Sequence, residues 1–358
     1  LCSASCPWNT VRSFMTHRMI CQSRYGLVDL EDEDWWLCST CNQCVSRCPR
    51  GVAITDVIRA ARKIMLEFQY EKAPASLRSA LGNLSGEGNP WGNERSKRAV
   101  WAESLGIQPY SSEEHELLYS PCCVLAYDPK LGSVARATAT VLRSTGASFG
   151  ILGEKESCCG ESVRKAGHEA LFESLAKSNI AAFREKGVKE IIVSSPHCYT
   201  TFKEEYPRLN SAVKVLHLTQ HLAALLDKGK LSYKKPLNKK IVYHDPCYLG
   251  RHNGIYEEPR RVLGSIPGVT LMDEVECREN SLCCGGGGGR IWMETVKGQR
   301  FSDILVEQAV AMGADILATA CPYCLLNFKD SVVTSDKADV LEIKDVSEVV
   351  LEAMGEER

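Results

Sequence analysis

Residues 283–289 read Cys-Cys-Gly-Gly-Gly-Gly-Gly, and residues 158–160 read Cys-Cys-Gly. Working outward, the earlier stretch is flanked by Cys123 and by Ser195-Pro196-His197-Cys198, the later one by Cys247 and by Cys321-Pro322-Tyr323-Cys324. Pairing Cys123, Cys158, Cys159 and Cys198 with Cys247, Cys283, Cys284 and Cys324 gives offsets of 124, 125, 125 and 126 residues. Near-constant offsets at four landmarks mean two copies of one unit. We place them at residues 116–235 and 236–358, ordinary sizes for a domain. Each copy alternates short apolar runs (189–194, 240–244, 315–319) with helical stretches (170–186 before Gly187, 297–312 before Gly313). That alternation predicts parallel α/β layers. The cysteines then fall just past strand ends, where open α/β sheets present binding loops, and nearby helix N-termini favour an anionic ligand.

The rest of the composition narrows the class. The chain has 358 residues, 44% hydrophobic and 25% charged, with a formal net charge of −2. This suits two or three globular domains and excludes a disordered chain. So balanced a charge gives no reason to expect nucleic acid or an anionic membrane as partner. No run of about 18 apolar residues is present, so no transmembrane segment is expected, and no signal-peptide pattern appears. The sequence opens at Leu1, one residue before a cysteine, so the natural N-terminus is expected upstream. The 18 cysteines come in tight groups. Neighbours one to three residues apart rarely bridge each other but converge readily on one metal centre. No G-x-G-x-x-G follows a strand, so flavin or nicotinamide is expected on another subunit.

Residues 1–70 carry a second pattern, CSTCNQCVSRCP at 38–49. Three closely spaced thiolates hold three corners of a 4Fe-4S cube, and a fourth cysteine before proline reaches a different cluster. Cys2-x3-Cys6-Pro7 reads as the tail of a second such run. By that logic Cys6 joins Cys38, Cys41 and Cys44. Cys2 and Cys48 belong to another cluster, whose two remaining ligands would precede Leu1. The expected unit is an α-helical two-cluster ferredoxin domain, with an amphipathic helix over 54–68 and Trp35 and Trp36 shielding the cluster from water. Residues 71–115 read as a linker, irregular over 81–90, with Trp91 and Trp101 packing it onto a neighbour.

In the second copy five thiolates, Cys247, Cys283, Cys284, Cys321 and Cys324, exceed what one four-ligand cube needs. The glycines at 285–289 let the backbone wrap a cluster and leave a face open. In the first copy Ser195 stands where a fifth cysteine belongs. Four thiolates, Cys123, Cys158, Cys159 and Cys198, suit an ordinary cube, with Cys122 as an alternative ligand. His197 and His244 lie beside cluster cysteines and are candidates to donate to sulfur. Arg251, His252, Arg260 and Arg261 read as a solvated helix face, and Cys21 and Cys277 as buried apolar thiols.

The arrangement C-x31–39-CC-x35–36-C-x2-C resembles the cysteine-rich (CCG) domain found twice in the catalytic subunit of heterodisulfide reductase. His244-Asp245-Pro246-Cys247, Cys283-Cys284-Gly285 and Cys321-Pro322-Tyr323-Cys324 carry most of the likeness. The N-terminal unit is similar to that enzyme's small iron–sulfur subunit, and the fusion resembles its D-type subunit. The likeness covers nearly the whole chain outside about 71–115. It implies a noncubane cluster with five cysteine ligands on Cys247, Cys283, Cys284, Cys321 and Cys324, at which the sulfurs of a disulfide would bind. The first copy departs from that pattern at Ser195, and a cubane is expected there instead. The likeness further implies electrons supplied through ferredoxin clusters by a flavoprotein, ferredoxin-like or membrane cytochrome b-like partner. The setting it implies is cytoplasmic or peripheral to the membrane. An alternative is a relay subunit in an electron-bifurcating, sulfite-reduction-associated or benzoyl-CoA-reductase-type complex.

Overall fold

Runs such as Leu-Leu-Tyr-Ser and Ile-Leu-Ala-Thr have no polar alternation, which suits strands buried on both faces. The computed structural model, which describes residues 1–356, places them so. The first repeat holds β1 (Leu117–Ser120), β2 (Phe149–Gly150), β3 (Glu190–Val193) and β4 (Lys214–His217). The second holds β5 (Lys240–Tyr243), β6 (Thr270–Asp273), β7 (Ile316–Thr319) and β8 (Glu342–Asp345). Each set forms a four-stranded parallel sheet, in the orders β2-β1-β3-β4 and β6-β5-β7-β8. The registers match as well: Leu118 faces Ile191 as Val242 faces Leu317. The mixed α/β architecture with two repeats is therefore as the sequence implied. Among the described residues no helix is long and apolar enough to cross a membrane.

The repeats meet through pseudo-twofold contacts. Helix Gly132–Ser144 packs on Val346–Met354, and its counterpart Glu257–Gly264 packs on Leu218–Asp227. His197 and Tyr323, equivalent residues of the two copies, lie ring to ring at 4.2 Å. Equivalent strands of the two copies deliver the chain into a helix whose first turn carries sulfur: β3 into Pro196–Thr200, β7 into Pro322–Thr334. Proline at the first helical position suits both, since its missing N–H would have no partner there. All the repeat cysteines of the motif thus gather at the carboxyl ends of the sheets.

The helix Ile54–Phe68 forms as expected, burying Ile54, Ile58, Ala61, Met65 and Leu66. The expectation for 81–90 is corrected: Ala75–Glu87 is a helix that stops at Gly88, whose φ of 68° closes it. Gly82, Ser85 and Gly86 disguise the segment because they are poor helix formers. Leu77, Leu81 and Leu84, spaced i, i+4, i+7, are buried and hold it. Trp101 meets Tyr119 of β1 edge-on and Trp91 stacks on Tyr127, so this segment is packed onto the first repeat.

Candidate metal centres

In the second repeat the five thiols follow one another in space. Cys247 Sγ lies 4.0 Å from Cys283 Sγ. Cys283 neighbours Cys284, Cys284 neighbours Cys324, and Cys324 neighbours Cys321. All five are buried, and all 18 cysteines of the chain are free thiols. Two histidines address this row. His244, Cys284 and Cys324 bring ligand atoms within 4.8 Å of one another, and His244 Nδ1 lies 2.8 Å from Glu274. His197, contributed by the first repeat, lies beside Cys321 with its Nδ1 3.2 Å from Glu161. Burial alone would push both imidazoles down, but the facing carboxylates outweigh it and hold each up at about 10. Burial likewise disfavours ionised Glu161, yet the His197 charge brings it down to about 2. Cys284 is drawn well below an ordinary thiol by its hydrogen bonds with Cys283 and Cys324 and then by His244. At Cys321, burial is outweighed by bonds with Cys324 and His197. Five soft sulfur donors in a dry site, with two carboxylate-backed imidazoles beside them, fit an iron–sulfur group.

The glycine run has a further steric reason. A Cβ on Gly287 would fall 2.3 Å from the Ser39 carbonyl oxygen, and one on Gly288 2.5 Å from that of Cys38. The run therefore admits the N-terminal cysteine loop against the second repeat. Arg62, fully buried, fastens the junction. Its guanidinium donates to the carbonyls of Trp35 (2.8 Å), Lys165 (3.1 Å), Gly288 (2.9 Å) and Cys38 (2.7 Å). Thr40 Oγ1 meets Tyr248 OH at 2.7 Å. Cys41 consequently touches Cys283 and shares a buried cluster with Cys247 and Tyr248.

Cys6, Cys38, Cys41 and Cys44 line one small cavity, walled by Trp8, Phe14 and Ile58. Cys2 and Cys48 lie outside it and are partly exposed. Trp35 and Trp36 are buried behind the loop. In the first repeat Cys123 neighbours Cys158, Cys158 neighbours Cys159, and Cys159 neighbours Cys198. Arg98 Nη1 lies 3.5 Å from Cys123 Sγ and is paired with Glu156. Cys21 and Cys277 are not buried as expected: both are half-exposed, beside His17 and Arg278.

The basic stretch after Cys247 also departs from expectation. Arg251 donates to the carbonyls of Cys41 and Ser281, and His252 meets that of Thr40. Arg260 grips Asp245 through two bonds of 2.7 and 2.6 Å, just ahead of Pro246 and Cys247. Only Arg261, paired with Asp227, lies on a solvated face. Removing one partner of a buried pair strands the other charge, so Arg260→Met should destabilise the fold by roughly 3–5 kcal/mol. Arg261→Met should change it by less than about 1 kcal/mol. Denaturant midpoints of the two variants check this, and equal shifts would contradict it.

A groove of about 640 Å³ is lined by Cys284, Gly285, Arg290, Trp292, Phe301 and Asn327. Trp8 sits at its edge and also lines the N-terminal cavity. Sequence reasoning passed over Trp8, Arg62, Arg98, Glu161 and Glu274. Only Arg62 left a signal, a charge four residues after Ile58 on the apolar face of its helix.

Comparison with known proteins agrees with the geometry. The cysteine-rich domain family, CCG, matches residues 117–203 and 241–329. EtfAB:quinone oxidoreductase of Syntrophomonas wolfei is 35% identical over 90% of this chain and 47% of its own length. The probable iron–sulfur-binding oxidoreductase FadF of Bacillus subtilis is 35% identical over 91% of this chain and 47% of its own. The chain thus spans about half the length of these two relatives. The D-type subunit of dihydromethanophenazine:CoB–CoM heterodisulfide reductase from Methanosarcina barkeri is 32% identical over 89% of this chain, which covers 77% of that relative. With both cysteine-rich repeats in place and most of the Methanosarcina relative spanned, this chain belongs to the family of the D-type heterodisulfide reductase subunits.

Proposed function

We propose that the chain is an iron–sulfur oxidoreductase unit in which a ferredoxin-type domain feeds a five-thiolate, noncubane-type centre that reduces a disulfide or oxidises thiols. The observation that carries this reading is the groove that Cys284 helps to line: a purely structural centre needs no such access. Cys6, Cys38, Cys41 and Cys44 would hold one 4Fe-4S cluster. Cys2 and Cys48 would serve a second whose other ligands lie outside this sequence. Cys247, Cys283, Cys284, Cys321 and Cys324 would hold the terminal centre. Such centres supply single electrons, and disulfide reduction takes two electrons and two protons to yield two thiols. The chain's own groups do the rest. The His244–Glu274 and His197–Glu161 pairs place carboxylate-backed imidazoles, able to carry a proton, beside Cys284 and Cys321. Trp292 and Phe301 give the groove apolar walls, and Arg290 adds positive charge.

A second reading, a relay to chemistry on another subunit, is favoured by the contact of Cys41 with Cys283, which joins two candidate centres directly. The relatives named EtfAB:quinone oxidoreductase and, in Chromohalobacter salexigens, probable membrane-anchored ferredoxin suit that role and a position at the membrane held by partners. The test uses the anaerobically reconstituted full chain, reduced with dithionite, freed of excess reductant and mixed with hydroxyethyl disulfide. Thiol release and a new paramagnetic signal on adding the product thiol are expected. A chain that stays reduced in the presence of the disulfide and releases no thiol would leave the relay reading in its place.

A further inference from the structure

We infer that the first repeat holds a five-thiolate iron–sulfur centre of its own, in which Cys122 supplies the ligand that Ser195 cannot. The inference rests on the function proposed above and deepens it, since it gives the chain two centres of the same ligand count.

The two repeats can be compared sulfur by sulfur. In the second, the spatial order is Cys247, Cys283, Cys284, Cys324, Cys321. In the first it is Cys123, Cys158, Cys159, Cys198, and then Cys122, which neighbours Cys198. Strand register fixes the correspondence independently. Tyr119 of β1 pairs with Ile192 as Tyr243 of β5 pairs with Ala318, so Cys123 matches Cys247 and Ser195 matches Cys321. Cys122 thus sits at the end of the row that Cys321 occupies in the other copy, although it comes from the loop after β1 instead of the loop after β3.

Backbone geometry agrees. Cys122 has φ 82° and ψ 149°, a region that essentially only glycine adopts freely. A cysteine held there points to a side chain that is needed at that place. Ser195, in turn, is fully buried and its hydroxyl has no hydrogen-bond partner, so it has taken over no role of its own. A second feature accompanies the row: the buried Arg98 guanidinium, paired with Glu156, also donates to Cys123 Sγ at 3.5 Å. Five buried thiols in one row, none in a disulfide, and a buried cation beside them reproduce the donor set of the second repeat.

The test is an iron and acid-labile sulfide count with Mössbauer spectra on the full, anaerobically loaded chain. Three forms are compared: wild type, Cys122→Gly, and Cys122→Gly combined with Ser195→Cys. Glycine relieves the backbone at 122, so the first variant should fold. It should lose about four iron atoms per chain or convert the first-repeat spectrum to that of a four-thiolate cube. The double variant, with the fifth thiol back at 195, should regain the wild-type count and spectrum. A Cys122→Gly protein with unchanged iron, sulfide and spectrum overturns the inference, as does a double variant that regains nothing. An iron-free wild type would sink the proposed function itself, whereas an iron-loaded wild type indifferent to position 122 sinks this inference alone.

Discussion

Cys284→Ser should strip the second repeat of its centre while leaving the N-terminal clusters reducible. Cys284 stands in the middle of the sulfur row, between Cys283 and Cys324, and is also the thiol that His244 faces. A serine hydroxyl in its place is a hard ligand that stays protonated in a dry site, so the row is cut in two. The iron count should fall by about four per chain. The loss extends to the fold, because ligand binding and local folding are coupled. Gly285 N–H donates to Cys283 Sγ at 3.3 Å and Asn327 to the Cys284 carbonyl at 2.9 Å, so the groove wall is organised around these two residues. Faster amide exchange over 285–300 should accompany the iron loss. Cys277→Ser, at a thiol outside every row, is the control and should change neither. Full iron and an unaltered spectrum in Cys284→Ser would contradict the ligand assignment.

What the sequence made legible follows from which interactions are local. Spacing revealed the repeat, the strands of each copy and the helix 54–68, because apolar periodicity and cysteine intervals are properties of neighbours along the chain. The grouping of Cys247, Cys283, Cys284, Cys321 and Cys324 was legible for the same reason: each lies just past a strand end or on a loop between strands, and parallel sheets bring those ends together. What stayed hidden is pairing between distant segments. Arg251 and Arg260 look like surface charge until the carbonyl of Cys41 and the carboxylate of Asp245 are seen opposite them. The glycines at 287 and 288 read as room for a cluster, whereas the nearest obstacles to a side chain are the carbonyls of Ser39 and Cys38. The helix Ala75–Glu87 was masked by residues of low propensity and is held by tertiary burial of Leu77, Leu81 and Leu84. Intrinsic preference is a weak guide where packing decides.

Arg62→Met should detach the N-terminal unit from the second repeat. Methionine fills a similar volume and keeps the apolar face of the helix Ile54–Phe68 continuous, so the substitution isolates the hydrogen bonds from the packing. Four carbonyls, the buried ones of Trp35 and Gly288 and the part-buried ones of Cys38 and Lys165, lose their donor together. An unmet buried acceptor costs about 1–3 kcal/mol, and a bond from a charged donor contributes at the upper end of the range. A loss of about 3–5 kcal/mol is expected, large for a single substitution. Lysine should not rescue it: a compact ammonium on a flexible stem cannot serve four carbonyls spread around a planar fork. The structural consequence is local before it is global. Cys38 and Gly288 are held on one guanidinium, and Cys41 reaches Cys283 only while that junction stays closed. Arg62→Met should therefore retain its iron when freshly loaded, yet pass electrons between the N-terminal and second-repeat centres more slowly, which freeze-quench EPR after flash reduction resolves. A midpoint shift below about 1 kcal/mol with unchanged transfer would mean that water enters the junction and satisfies those carbonyls. The dry contact between the cysteine loop and the glycine run would then not be what couples the two centres.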